Sequence, residues 1–226
     1  QIHRLTRAGC EIVRVAVVDA EAAEALSRIK SHIEIPLIAD IHFDHRLAIA
    51  SIQAGADGLR INPGNIGGKA RVEQIAACAA DHGVPIRIGV NAGSLEKDLV
   101  RKYNGATAEA MVESALRHIS QLERFGFDQL KVSIKASDVG RTLSAYRSLS
   151  EKTDFPLHVG VTEAGGLFSG IVKSALGIGM LLAEGIGDTI RVSLTRDPVE
   201  EVRVGYEILR ALGIRSHGPE IISCPT

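Results

Sequence analysis

Tryptophan is absent from the chain, and aromatic residues make up only 4% of it. Grooves that hold single-stranded nucleic acid depend on aromatic side chains for stacking, so that class of partner is disfavoured. An excess of positive charge is missing as well: 26 Lys and Arg stand against 27 Asp and Glu, for a net charge of −1. No global basic field exists to attract nucleic acid or a lipid surface. No apolar run is long enough to span a bilayer, and no signal-peptide pattern is present. Cysteine is scarce: Cys10, Cys78 and Cys224 are odd in number and far apart. A disulfide framework is therefore not expected, and a reducing, cytoplasmic setting fits better.

What is present is an ordinary globular composition, 45% apolar and 23% charged over 226 residues, enough to bury a substantial core. A two-part repeat organises it. "AGCEIVRVAV", "AGADGLRINP", "FGFDQLKVSI" and "EGIGDTIRVSL" share a Gly, usually an acid, and then a strand with a basic residue in the same place. "IPLIADIH", "VPIRIGVN" and "FPLHVGVT" instead open with Pro before an apolar strand. The two types alternate, separated by stretches such as "TAEAMVESALRHISQLERFG" whose apolar residues recur at helical spacing. At 197 to 201, "DPVEE" supplies a helix start, with Asp197 as cap and Pro198 at the first helical position.

Strand–helix alternation with short links predicts a parallel sheet. Seven strands are expected near 11–17, 36–41, 57–62, 85–91, 129–135, 157–162 and 189–194. The even units and alternating strand types fit a TIM-type (β/α)8 barrel better than a doubly wound sheet. On that reading the first strand is missing, Gln1 opens inside the helix that followed it, and the chain is a piece of a longer polypeptide.

Side chains alternate faces along a strand, and the outer face of a barrel must be apolar against its helices. Val13, Val15 and Val17 take the outer face of their strand, so Arg14 points inward. The same parity turns inward Asp40 and His42, Arg60 and Asn62, then Arg87, Gly89 and Asn91. It also turns inward Lys131, Ser133 and Lys135, His158, Gly160 and Thr162, and finally Arg191 and Ser193. Six cations (Arg14, Arg60, Arg87, Lys131, Lys135 and Arg191) thus face one inward acid, Asp40, with Glu163 near a strand end. Unpaired buried charge costs several kcal/mol per ion, on the order of the terms that set protein stability. The excess points to an absent polyanion, most simply a phosphate or diphosphate, whose oxygens match the guanidinium fork.

The loops at the strand ends agree with this: "NPGNIGG", "NAGSLEKD", "KASD" and "TEAGGLFSG" carry glycines that let backbone N–H groups approach an anion. Asp40 and His42, two apart on one strand, are candidates for acid–base or hydrogen-bonding work. His42 and His158 each fit either a satisfied core histidine or a group of the site.

Together "ADIHFD", "LRINPGNIG", "IRIGVNAGSLEKD", "KVSIKASD", "GVTEAGG", "EGIGDTIRVSL" and the closing "SCPT" resemble the bacterial 4-hydroxy-3-methylbut-2-enyl diphosphate synthase family. The resemblance runs in order over essentially the whole chain. It implies a TIM-type barrel over 1–219 that lacks its first strand, with 220–226 opening a linker into an iron–sulfur module. The implied reaction, in the non-mevalonate isoprenoid route, converts 2-C-methyl-D-erythritol 2,4-cyclodiphosphate to 4-hydroxy-3-methylbut-2-enyl diphosphate. A 4Fe–4S cluster in the longer protein, flavodoxin or ferredoxin as electron donor, and a homodimer are implied with it.

Carried over by motif, Asp40, His42 and Asn91 would be catalytic. Arg14, His42, Arg60, Asn62, Arg87, Asn91, Lys131, Ser133, Lys135, Thr162, Glu163, Arg191 and Ser193 would bind substrate. Cys224 would be a cluster ligand. One Cys cannot hold four irons, so this chain is expected to carry no cofactor and to bind without turning over. Two other readings stand beside this one. One is a pterin-synthase-like barrel that binds a diphosphate ester, and the other a non-catalytic phosphate-binding module.

Overall fold

A computed structural model describes residues 1–219 of the chain. Seven strands appear in the expected order: β1 (Val13–Val17), β2 (Leu37–Ile41), β3 (Gly58–Ile61), β4 (Ile86–Asn91), β5 (Leu130–Lys135), β6 (His158–Val159) and β7 (Thr189–Ile190). The helices among them are α1 (Ile2–Arg7), α2 (Ala20–Lys30), α3 (His45–Gln53), α4 (Lys69–His82), α5 (Lys97–Lys102), α6 (Ala108–Glu123), α7 (Val139–Ser150), α8 (Leu167–Ala183) and α9 (Pro198–Ala211). β1 to β5 form a parallel sheet in sequence order. A bridge between Val132 and Leu157 leads on to β6, which pairs in parallel with β7. This is the TIM-type α/β architecture that the alternation predicts. Among the described residues no ladder joins β7 to β1. The helical layer does connect them: Arg4 of α1 bonds Asp197 at 2.7 Å, and the Tyr206 hydroxyl donates to the Gly9 carbonyl at 3.0 Å.

The outer strand faces are apolar, as the parity requires. Val13, Val17, Leu37, Ala39, Ile41, Leu59, Ile61, Ile86, Ile88, Val90, Val132 and Ile134 are buried under the helices. Those helices start where the sequence places caps: the Asp19, Asp44, Asp138 and Asp197 carboxylates each accept a first-turn N–H, and the Thr107 hydroxyl does the same for α6.

The recurring Gly–acid pair has a structural cause. The Asp57 carboxylate accepts from Leu37 N at 2.7 Å, and that of Asp188 accepts from Leu157 N at 2.7 Å. Each acid thereby satisfies the first N–H after the proline that opens the neighbouring strand. The two repeat types are thus hydrogen-bonded partners at the amino ends of the strands.

The last two strands are shorter than the expected 157–162 and 189–194. At Gly160 the backbone passes so close to the Arg191 carbonyl that a Cβ would not fit. Beyond that point only scattered bonds continue, Thr162 N to Ala136 O at 3.1 Å and Thr195 N to Gly165 O at 3.1 Å. Sequence parity reads the extended direction of these segments but not the loss of a regular ladder.

Candidate active site

Strand register brings the inward residues abreast. Asp40 lies beside Arg60, Arg60 beside Arg87, and Arg87 beside Lys131. Gly89 and Ser133 pair one inward step further toward the carboxyl ends, and Asn91 and Lys135 two steps further. Four neighbouring strands therefore place one acid and three cations in a single row across the lumen.

The row is not uniform. Asp40, 4% exposed, accepts from Arg14 Nη1 at 2.6 Å and from Arg60 Nη1 at 3.2 Å. Arg60 Nη2 also donates to the Gly89 carbonyl at 3.3 Å. With its amide oxygen turned toward Arg60, Asn91 accepts from Nη2 at 3.2 Å and donates to the Val90 carbonyl at 3.2 Å. Arg60 lies across Gly89 so closely that a β-carbon there would strike Nε. Arg60 therefore faces a carboxylate, a carbonyl and an amide, and its charge is met by protein groups.

Across the lumen the accounting differs. The side chains of Arg87, Lys131, Lys135 and Arg191 make no hydrogen bond or ion pair with any described residue. Arg87 is 8% exposed and Lys135 6%. Burial, and then the charges of Arg14 and Arg60, push the Arg87 pKa down to about 9, so it remains charged at neutral pH at a cost. Burial first, and the Arg87, Arg191, Arg14 and Arg60 charges next, push the Lys135 ammonium well below its ordinary value. Arg14 is lowered too, by burial and then by Arg191, against the pull of Asp40.

His158 belongs to this side. Its Nδ1 bonds the Thr189 hydroxyl at 2.8 Å, its register partner on β7. Its Nε2 is shielded from water and has no partner. Parity turned His158 inward, but the sequence could not decide between a core and a site role, because that depends on whether the second nitrogen is satisfied.

The remaining candidates sort by contact. Ser133, buried, donates to the Ile88 carbonyl at 3.3 Å. Asn62, buried, accepts from Gly64 N at 3.1 Å and donates to the Ser94 hydroxyl at 3.3 Å, so it ties "NPGN" to "NAGS". Thr162 and Ser193 are half-buried beyond the ends of β6 and β7. His42 is exposed, one residue past β2. Glu163 is exposed, in a left-handed conformation at φ 51° ahead of the Gly165–Gly166 turn that opens α8. Cys224 lies outside the described residues.

One group on the rim is absent from the sequence reading. Glu96, after β4, accepts from the Ser114 hydroxyl of α6 at 2.8 Å. Its other oxygen lies 2.9 Å from His118 Nε2, off the line of a straight hydrogen bond. Burial alone would raise the Glu96 pKa; the close His118 ring and hydrogen bonds from its own backbone and Ser114 outweigh this and hold it at about 2.

The barrel with its inner basic cluster is matched by a family model described as the GcpE TIM-barrel domain, over residues 1–206. The chain belongs to this family. It is 62% identical over its full length to the 4-hydroxy-3-methylbut-2-en-1-yl diphosphate synthase (flavodoxin) of Geobacter sulfurreducens, of which it covers 64%. It is 58% identical to the synthase of the same name from Desulfotalea psychrophila, of which it covers 63%. The chain thus spans somewhat under two thirds of the curated GcpE relatives it matches. Solved structures with a similar fold include the dihydropteroate synthase of Yersinia pestis, with a TM-score of 0.63 at 15% identity over 94% of this chain and 86% of that one. The HMG-CoA lyase of Brucella melitensis aligns with a TM-score of 0.63 at 17% identity, over 95% and 82% of the two chains. At these identities the likeness is one of fold alone.

A metal or cluster needs several converging donors. Among the described residues no three His, Cys, Asp or Glu side chains are grouped to hold a metal, and Cys10 and Cys78 are separate free thiols. The described part of this GcpE-family barrel does not by itself fit an iron–sulfur cluster.

Proposed function

We propose that this chain is the substrate-binding barrel of a reductive synthase that takes 2-C-methyl-D-erythritol 2,4-cyclodiphosphate to 4-hydroxy-3-methylbut-2-enyl diphosphate. The observation that carries the reading is the unbalanced side of the lumen: Arg87, Lys131, Lys135 and Arg191 have no anionic partner among the described residues. A diphosphate would supply the missing charge, and the Asp40-braced Arg14 and Arg60 would complete the cradle. The barrel's share of the work is binding and orientation. Asp40 holds the two guanidinium groups in place rather than acting as a free base, and Asn91 braces Arg60 from the other side. His42, exposed at the mouth, is available to a bound substrate.

Electrons would come from flavodoxin, the donor that the relatives' names give, or from ferredoxin. The 4Fe–4S cluster that the reaction calls for, with Cys224 as one ligand, would lie outside the described residues. Assembly as a homodimer in the cytoplasm belongs to the same reading. Phe168, Val172, Leu176 and Met180, four apart along α8 and exposed, offer an apolar face for it. No described helix is long and apolar enough to cross a membrane. The test is calorimetric titration of the chain with the cyclodiphosphate, with inorganic diphosphate as comparison. Saturable binding that Arg87→Ala weakens more than tenfold supports the reading; a folded chain that binds neither compound overturns it.

A further inference from the structure

His158 carries one nitrogen too many for a structural role. Thr189 occupies Nδ1 at 2.8 Å, and the Tyr146 hydroxyl holds the backbone by donating to the His158 carbonyl at 2.6 Å. Those two contacts fix the ring and the strand. Nε2 is left buried with no partner. A buried nitrogen without a hydrogen bond is costly, so its surroundings should reveal what it awaits.

Those surroundings are strongly cationic. The charges that act on it are Arg14 on β1, Arg87 on β4, Lys135 on β5 and Arg191 just past β7. Asp40 on β2 is the one inward acid, and it is engaged by Arg14 and Arg60. Among the described residues no side chain or carbonyl makes a hydrogen bond to Nε2.

We propose that Nε2 of His158 is a ligand for a phosphate oxygen, and that His158 takes up a proton from solvent when a diphosphate enters the lumen. The idea rests on the diphosphate reading of the site and deepens it. Without an anion the surroundings disfavour the charged imidazole: burial first, then Lys135, Arg87, Arg191 and Arg14, push its pKa well below the ordinary value. An entering anion offsets that positive field and makes the charged imidazolium less costly. With Nδ1 on Thr189, protonation at Nε2 makes a charge-assisted donor aimed at the new oxygen. The proton passes from solvent to Nε2, where an N–H bond forms; no bond between heavy atoms forms or breaks.

The measurement is calorimetric titration of the chain with inorganic diphosphate at one pH near neutrality, in two buffers of different ionisation enthalpy. The chain is compared with His158→Asn, whose amide keeps a polar group near Thr189 and lacks Nε2. The diphosphate's own protonation is common to both proteins and cancels in the difference. The expected result is a proton uptake larger for the wild type by close to one, with affinity about ten- to hundredfold weaker in the variant. Nitrogen NMR of labelled histidine should show His158 neutral in the free chain and doubly protonated in the complex, which is independent of whether the variant folds. Binding with equal uptake in the two proteins and an unchanged His158 signal overturns this inference alone. A folded wild type that binds no diphosphate overturns it together with the functional reading.

Discussion

The two sides of the barrel lumen carry similar residues under different conditions. On the β1–β3 side, Arg14 and Arg60 share the Asp40 carboxylate, and Arg60 is further held by Gly89 and Asn91. On the β4–β7 side, Arg87, Lys131, Lys135, Arg191 and the Nε2 of His158 have no partner among the described residues. The first side is self-sufficient and behaves as scaffold. The second is complete only with an anion, so charge that is costly in the empty barrel becomes binding energy in the complex.

The sharpest way to break this contrast is to remove its one carboxylate. Asp40→Ala leaves two guanidinium groups without their acid and should destabilise the chain by about 3–5 kcal/mol in denaturant unfolding. A loss below about 1 kcal/mol would mean that the two sides do not differ. Lys135→Met should act with the opposite sign. Removing a buried amine whose charged form has no partner is expected to stabilise the ligand-free chain by about 1–4 kcal/mol, while diphosphate affinity falls at least tenfold. Destabilisation together with unchanged affinity would make Lys135 part of the scaffold.

Gly89→Ala tests how tightly the scaffold side is packed. Its methyl group would push Arg60 off its carboxylate, at about 1–3 kcal/mol. Combined with Asp40→Ala the two losses should be less than additive, since both act on one contact; full additivity would separate them.

The smallest effect concerns the rim. The Glu96 pKa is depressed to about 2 in the folded chain from 4.5. The unfolded chain therefore binds more protons between those values, and the stability Glu96 contributes is complete above the unfolded pKa and lost as pH falls toward the folded one. Glu96→Gln should remove that part of the acid limb, read as a smaller difference in unfolding midpoint between pH 5 and pH 3.

Much of this arrangement was legible in the chain because a barrel strand obeys a period of two. Once Val13, Val15 and Val17 take the outer face, Arg14 can only face in, and the same step turns Arg60, Arg87 and Lys135 inward. Partners were harder to read. Asp40 is twenty residues from Arg60, and only the register of β2 against β3 sets them side by side. The sequence therefore suggested a diphosphate for Arg60, where the structure gives it a carboxylate first. Asn62 was read as a group of the site, and its hydrogen bonds run to Gly64 in its own loop and to Ser94 in the next. The Glu96–Ser114 bond depends on how α6 seats against a loop, which periodicity does not encode. The shortened β6 follows from a backbone approach at Gly160 that no pattern of side chains reports.

The most direct test is the unfolding free energy of the chain with and without inorganic diphosphate, beside the same pair for Lys135→Met. A ligand at a hundredfold excess over its dissociation constant should add about 2.7 kcal/mol to the wild type. At that same concentration it should add far less to the variant, although the variant starts out more stable. A wild type whose stability is indifferent to diphosphate, or a variant that gains just as much, would contradict the claim that the β4–β7 side is built to be completed by an anion.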